Sequence, residues 1–177
     1  MDHAPVVAIA GQAGTNRLHK ESHQVLDLEH MFRPITKYSS RILAPDVIPE
    51  VIRKAFKISQ SEKTGAAFIE FPEDLAKLPT VARPLPVNHP FPPEPAMLQV
   101  ERAAELISEA RNPMILAGNG VVRAGAWKHL TEFAEELNIP VANTFMAKGV
   151  TPFRNRTTLA SAGLQSNDYI SCGFSRA

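Results

Sequence analysis

The chain has 177 residues, 44% of them hydrophobic and 21% charged, and its 19 basic and 18 acidic side chains leave a formal charge of +1. This is the composition of a globular protein, and it argues against nucleic-acid binding, because the basic residues are scattered rather than collected in a patch. The single cysteine, the lack of a secretory start and the lack of an apolar run of roughly 20 residues predict a cytoplasmic protein with no membrane role.

The first part of the chain predicts alternating strands and helices. Residues 6–11 form an apolar run typical of a strand buried on both faces of a parallel sheet, and residues 25–32 predict a short helix. Residues 35–43 are rich in β-branched side chains and predict a second strand. Asp46 is then expected to cap an amphipathic helix, and residues 66–72 to return as a strand.

A proline-rich linker, residues 79–96, divides this part from the rest, because proline fixes φ and lacks an amide donor. Beyond it the sequence predicts, in order, a helix at 99–110, a strand at 113–120, a helix at 124–138 and a strand at 140–145. That alternation is typical of a doubly wound α/β unit. We therefore expect an α/β protein of two domains, 1–78 and 97–177, each with a parallel sheet flanked by helices. Both are expected to be incomplete, since the first opens on a strand that should be internal and the second ends just after a helix, where another strand would be due.

Two loops of the second domain are candidates for a binding crevice. Gly118 and Gly120 lie in a strand-to-helix turn, where α/β sheets hold phosphate groups, but such a turn needs glycine even without a ligand. The full dinucleotide-binding spacing is missing, so spacing alone favours the structural explanation. Thr144 and Met146 follow the next strand and should lie at the same edge of the sheet, although Met146 is equally suited to fill a core.

Residues 21–40 contain two side chains that are candidates for a site, Gln24 and Lys37. Lys37 lies in an otherwise apolar strand, where a lysine either extends to water or supplies positive charge to a cleft, and the pattern alone favours the first. His23 and His30 are expected to share a helix face as packing or surface residues. The six histidines show no metal-ligand spacing, and no serine or cysteine has an evident catalytic base.

Seven segments taken in order match one known family. They are DHAPVVAIAGQ, SHQVLD, RPITKYS, GAAFIEFPEDL, NPMILAGNG, LNIPVANTFMAKG and AGLQ. Together they resemble the catalytic subunit of acetolactate synthase (acetohydroxyacid synthase), a thiamine-diphosphate enzyme, over essentially the whole chain. RPITKYS and GAAFIEFPEDL are the more specific segments, whereas the glycine turn alone is not specific. The S-H-Q form and the FPEDL ending resemble the catabolic, acetoin-pathway branch.

The resemblance implies the roles of the two domains. Residues 1–78 correspond to the latter part of a pyrimidine-binding domain, and residues 97–177 to the beginning of a central Rossmann-like domain. Thiamine diphosphate would be held through Mg²⁺ by a third domain that this chain lacks, and the catalytic glutamate would lie upstream, so the chain alone is expected to be inactive. The implied reaction condenses two pyruvates to 2-acetolactate with loss of CO₂, in the acetoin or branched-chain amino-acid pathway. The implied site lies between subunits of a homodimer or homotetramer.

The resemblance also assigns site residues. Gln24 matches the glutamine of the family's F-Q-E segment near the substrate channel, and Lys37 the lysine of its I-T-K segment, where a fixed cation would attract a pyruvate carboxylate. In flavin-containing members FAD lies on loops that match Gly118, Gly120, Thr144, Met146, Gly163 and Gln165. Those members have histidine at the position of Gln165, and catabolic members carry no FAD, so the resemblance is compatible with a protein that binds FAD or one that does not.

Two other functions stay open on the sequence. One keeps the thiamine family but changes the substrate, as in a glyoxylate carboligase or a 2-oxoacid decarboxylase. The other is a non-catalytic module that binds FAD or a nucleotide through residues 97–177. Product analysis with different 2-oxoacids distinguishes the first, and a flavin titration distinguishes the second.

Overall fold

The computed structural model describes residues 3–177, which divide into two compact units, the first ending at Glu94 and the second spanning Pro95–Ala177. The boundary between the units lies inside the proline-rich stretch, and residues 79–96 form neither helix nor strand. Each unit contains a three-stranded parallel sheet with helices in the connections, so the predicted α/β fold class is confirmed. No helix of the described residues is long and apolar enough to cross a membrane.

The first unit is built around a sheet with β3 at its centre. Its strands are β1 (Val6–Gln12), β2 (Tyr38–Arg41) and β3 (Ala66–Pro72), and its helices are α1 (Leu28–Phe32) and α2 (Ile48–Gln60). The strands are ordered β1-β3-β2 and all pair in parallel. Parallel neighbours cannot be joined by a tight turn, which explains why a helix lies in each connection.

The two faces of β3 have different chemistry, because successive side chains of a strand point to opposite sides. Ala67 and Ile69 pack with Ala55 of α2 in the hydrophobic core of the unit. Phe68 and Glu70 point to the other face, which α1 covers. There the ring of Phe68 stacks on Phe32 of α1, with ring centroids 4.0 Å apart.

The second unit repeats the parallel arrangement. Its strands are β4 (Ile115–Ala117), β5 (Val141–Thr144) and β6 (Thr158–Ala162), and its helices are α3 (Met97–Glu109), α4 (Asn119–Arg123), α5 (Trp127–Glu136) and α6 (Asp168–Ser171). The strand order is β4-β5-β6. The core consists of small and β-branched side chains around β5, where Val141 and Ala142 are almost completely buried.

Three expectations about the first unit are wrong in detail. Ile9 of β1 is 58% exposed, so this strand is not buried on both faces among the described residues; β1 is an edge strand and nothing described covers Ile9. Asp46 does not cap α2, because a 3₁₀ turn precedes the helix and the Asp46 carboxylate instead accepts a hydrogen bond from the Thr80 hydroxyl at 2.5 Å. His23 precedes α1 and shares no helix face with His30.

Two elements of the second unit were not predicted. The glycine turn after β4 continues into the short helix α4, and β6 adds a third strand beside β5. The sequence of β6, TLASA, has only two long or β-branched side chains, which makes it a weak strand pattern. Its place is fixed instead by pairing with β5.

Candidate functional site

Gln24 lies at the carboxyl edge of the first sheet. It belongs to the loop that follows β1. The carbonyl of the preceding residue, His23, accepts a hydrogen bond from the Arg17 guanidinium at 3.2 Å. Arg17 also lies 3.5 Å from the carboxylate of Glu73, which directly follows β3. These contacts place the loop against the ends of β1 and β3.

The backbone of Gln24 has an unusual conformation. Its φ is +62°, in the left-handed region that residues other than glycine adopt infrequently. Two residues later, the carbonyl of Leu26 accepts a hydrogen bond of 2.5 Å from the side-chain amide of Gln12, the last residue of β1. Gln12 is only 4% exposed, so a buried amide fixes the chain beside Gln24, whose own side chain is exposed.

Lys37 lies at the opposite, amino edge of the same sheet. Its backbone N–H donates to the carbonyl of Ala66, the first residue of β3, at 2.8 Å. Its ammonium group donates to the carbonyls of Ile58 and Ser61, at 2.8 and 2.6 Å, where α2 ends. Lysine is favourable there because the last carbonyls of a helix are unpaired and carry partial negative charge. The structure therefore does not bring Gln24 and Lys37 together within this unit.

Lys37 also lines a surface depression. The residues that line it include Lys37, Lys63, Thr64 and Gly65. The aliphatic stem of Lys37 lies so close to Gly65 that an added Cβ there would come within 2.9 Å of it. Two of the residues that line this depression, Lys37 and Lys63, are cationic.

An ion pair that sequence reasoning missed lies under α1. The Arg41 Nε donates to the carboxylate of Glu70 at 2.5 Å, and the Glu70 side chain is completely buried. This hydrogen bond, foremost, raises the pKa of Arg41. The available signal was a charged residue of opposite sign in each of two predicted strands. The observed register pairs Arg41 directly with Glu70.

Asp74 connects two loops at the carboxyl edge of the first sheet. Its carboxylate accepts hydrogen bonds from the hydroxyl and the backbone N–H of Thr15, at 2.5 and 3.0 Å, and from the N–H of Leu75. The Thr15 hydroxyl, foremost, and these backbone groups lower the pKa of Asp74 from its ordinary value of 3.8. The loop after β1 is thereby attached to the loop after β3.

The six residues predicted to contact FAD lie at one edge of the second sheet. They follow three neighbouring parallel strands: Gly118 and Gly120 come after β4, Thr144 and Met146 at or after the end of β5, and Gly163 and Gln165 after β6. Carboxyl ends of parallel strands meet at one edge, which is where open α/β sheets bind ligands. Phe145, Met146 and Leu164 are exposed apolar side chains in these loops.

These loops fit a flavin cofactor only in part. A Cβ added at Gly118 or Gly120 would meet nothing within 4 Å, so the backbone of that turn is open to a close approach. The turn after β6 differs, because the N–H groups of Gly163, Leu164 and Gln165 all donate to one oxygen of Asp168, at 2.9, 2.8 and 2.8 Å. The donors that would otherwise hold a phosphate are already paired. Those bonds, that of Gln165 foremost, lower the pKa of Asp168.

The described residues contain no group of three or more His, Cys, Asp or Glu side chains placed to hold a metal ion. A diphosphate bound through Mg²⁺ needs oxygen ligands of that kind.

Comparison with protein families matches residues 100–177 to the thiamine pyrophosphate enzyme, central domain. Among curated proteins, the chain is 36% identical to "Probable acetolactate synthase large subunit" of Methanocaldococcus jannaschii, over 92% of this chain and 29% of that protein. It is 37% identical to the acetolactate synthase of Mycobacterium bovis, over 93% of this chain and 27% of that protein. It is 34% identical to the glyoxylate carboligase of Escherichia coli O157:H7, over 93% of this chain and 28% of that protein.

The chain spans less than a third of the length of the curated relatives it matches. Among solved structures it resembles one named for a thiamin diphosphate-dependent enzyme isolated from Mycobacterium smegmatis, with a TM-score of 0.82 and 24% identity. The match covers 92% of this chain and 32% of that one. At this identity the likeness supports the fold alone.

Proposed function

Since this chain belongs to the thiamine pyrophosphate enzymes, we propose that it forms part of an acetolactate synthase, which condenses two pyruvates to 2-acetolactate with release of CO₂. The observation that carries the proposal is the similarity, at 36–37% identity over at least 92% of the chain, to proteins with that name. The match includes both units, so it does not rest on the central domain alone.

Thiamine diphosphate, when bound, supplies the electron sink for decarboxylation of a 2-oxoacid. We propose that Mg²⁺ anchors its diphosphate through residues outside those described here. The proposed setting is a cytoplasmic homodimer or homotetramer. Sedimentation of the purified protein, with and without the cofactor, measures its oligomeric state.

We propose that Gln24 and Lys37 act on the 2-oxoacid substrate from different surfaces of the first unit. Gln24 presents an exposed amide on a loop held by buried contacts, a geometry suited to orienting a carboxylate or carbonyl. An ammonium group has three N–H donors, and the carbonyls of Ile58 and Ser61 take two of those of Lys37. We propose that the third donor binds a substrate carboxylate at the depression that Lys37 and Lys63 both line.

The proposed role of Lys37 is tested by comparing Lys37→Ala with His30→Ala in the protein that turns over pyruvate. We expect Lys37→Ala to lower kcat/KM by about tenfold or more, because a fixed charge near a carboxylate contributes on the order of 1 kcal/mol or more even in a moderately polar environment. His30, whose exposed ring contacts Asp27, should change kcat/KM by less than about twofold.

Loss of the helix-end contact could itself reduce activity, so unfolding midpoints are measured on the same samples. If Lys37→Ala loses activity only in proportion to its loss of folded protein, the lysine serves α2 and not the substrate. Equal and mild effects of the two variants would contradict the substrate role.

Glyoxylate carboligation is the second candidate, favoured by 34% identity over 93% of the chain to an enzyme with that name. Incubation with pyruvate alone, and with glyoxylate alone, followed by identification of the products, separates the two. Acetolactate from pyruvate supports the leading proposal. Release of CO₂ and a carboligation product only from glyoxylate would replace it.

FAD is a further proposed ligand, at the carboxyl edge of the second sheet. The open backbone at Gly118 and Gly120 supports it, whereas the amide groups held by Asp168 restrict it to the loops after β4 and β5. A titration that follows flavin fluorescence measures binding directly. Saturable quenching that Gly118→Leu weakens would support the contact, and unchanged fluorescence would exclude it.

A further inference from the structure

Glu70 and Gln12 are buried polar side chains on the face of the first sheet that α1 covers. Glu70 is completely buried and Gln12 is 4% exposed. The register pairs Gln12 with Pro72, two residues beyond Glu70 on β3, so both side chains point to the same face. Burial of such groups is costly unless each is hydrogen-bonded, and both are.

Their hydrogen bonds converge on the segment that contains Gln24. Both carboxylate oxygens of Glu70 accept from the Arg41 guanidinium, and one of them also accepts from the backbone N–H of Glu29 at 3.2 Å. The carbonyl of Glu29 in turn accepts from the hydroxyl of Ser39 at 2.9 Å. Both backbone groups of Glu29 are therefore held by side chains of neighbouring strands.

These contacts stabilise α1, which is too short to be stable by itself. The helix has five residues, and a helix that short is not stable without tertiary contacts. Glu70 holds its first turn at Glu29, while Gln12 holds Leu26 just before it. Gln24 lies two residues before Leu26 and has a left-handed φ of +62°. Rare backbone conformations persist only where the surrounding structure imposes them.

We propose that Glu70, with Arg41, is a positioning residue: through the backbone of Glu29 it holds the loop that presents Gln24 to the substrate. The inference rests on the substrate role proposed for Gln24, and it goes beyond that role by assigning the loop's geometry to a buried ion pair. Apolar residues of similar volume often replace buried ion pairs without loss of stability. Stability alone therefore does not explain a fully buried carboxylate aimed at a helix N–H.

The test is a double-mutant cycle between Glu70→Gln and Gln24→Ala in the protein that turns over pyruvate. Glutamine keeps the size of Glu70 but removes the charge that holds Arg41. Each single variant should lower kcat/KM for pyruvate by about tenfold, and the double variant should be no more than about twofold worse than Gln24→Ala, since two groups acting through one contact are not additive. Glu50→Gln, on the exposed side of α2, is the matched control and should behave as the wild type.

Multiplying losses in the double variant would mean that Glu70 acts independently of Gln24, which overturns the proposal. If Glu70→Gln does not fold, Arg41→Lys takes its place with the same expected pattern, because lysine keeps the charge but lacks the guanidinium geometry.

Amide hydrogen exchange of residues 22–29 separates this inference from the proposed function. Glu70→Gln should speed exchange there by about tenfold relative to Glu50→Gln, because the anchor at Glu29 is lost. Faster exchange together with a silent Gln24→Ala would refute the substrate role of Gln24 while leaving Glu70 as the loop's anchor. Unchanged exchange would refute the positioning role itself.

Discussion

The loops at the carboxyl edge of the first sheet are joined to one another by polar side chains, whereas those of the second sheet are open. In the first, Gln12 and Asp74 hold the segment after β1 at two points, and Glu70 holds the first turn of α1. In the second, the loops carry glycines and exposed apolar side chains, and Asp168 binds only the turn next to its own helix. The comparison shows two ways to prepare an edge for chemistry: a fixed loop that presents one side chain, and an uncrowded backbone that a large ligand can approach.

Removing the cation from the buried pair should have the largest effect on the first edge. Arg41→Met leaves the buried Glu70 carboxylate without its cationic partner, and we expect the free energy of unfolding to fall by about 3 kcal/mol. The double variant Arg41→Met, Glu70→Leu should regain most of that loss, because no uncompensated charge remains. Urea denaturation of the four proteins measures both values. A double variant as unstable as Arg41→Met would show that the loss comes from packing and not from the charge.

Glycine substitutions test the second edge and should have a smaller effect. Gly163 has a φ of +116°, so Gly163→Ala should lower the free energy of unfolding by about 1 kcal/mol or more. Gly118 has an ordinary φ and open space around it, so Gly118→Ala should change stability by less than about 0.5 kcal/mol. Thermal unfolding of the two variants is the measurement. A destabilised Gly118→Ala would contradict the openness of this turn.

The pH dependence of stability in the acid range should differ least between the two edges, because each edge has one aspartate, Asp74 or Asp168, that accepts three hydrogen bonds. The folded-state pKa of each is lowered from 3.8, so the stability it contributes is present above that value and is lost as pH falls through the folded pKa. Asp74→Asn and Asp168→Asn should therefore lower the urea midpoint at pH 7 and lose part of the wild-type decline below about pH 4. Parallel pH curves for wild type and variants would show that neither carboxylate is linked to folding.

Much of the fold was predictable because its strands and long helices have strong local patterns. The strand AAFIEFP was placed at its observed bounds, and the helix after residue 46 was found from its apolar face. The fold class follows from the alternation of these elements. Local pattern failed to predict β6, whose position depends on pairing with β5. It also failed at the start of α2, where a turn precedes the helix and the Asp46 carboxylate bonds to Thr80 instead of capping α2.

The candidate site was predictable only as separate residues. The six residues after the strands of the second unit fall at one edge because parallel topology places every carboxyl end there. Gln24 and Lys37 were expected at one channel, yet they lie at opposite edges of the sheet. Gln24 follows the end of β1 and Lys37 precedes the start of β2, and parallel strands end at one edge and begin at the other. Glu70 was not predicted as a site residue, because two opposite charges in separate strands do not show that the strands are neighbours, and Arg41 and the N–H of Glu29 meet Glu70 only in the folded chain.

The carboxylate of Asp168 also decides how the turn after β6 responds to dissolved anions. A free phosphate could bind the amides of Gly163–Gln165 only by displacing a group that is tethered a few residues away. A short tether gives a competitor an effective concentration on the order of millimolar or higher, and Asp168 is always present. The turn thus contains its own competing anion, and buffer or metabolite anions bind these amides only in competition with that carboxylate.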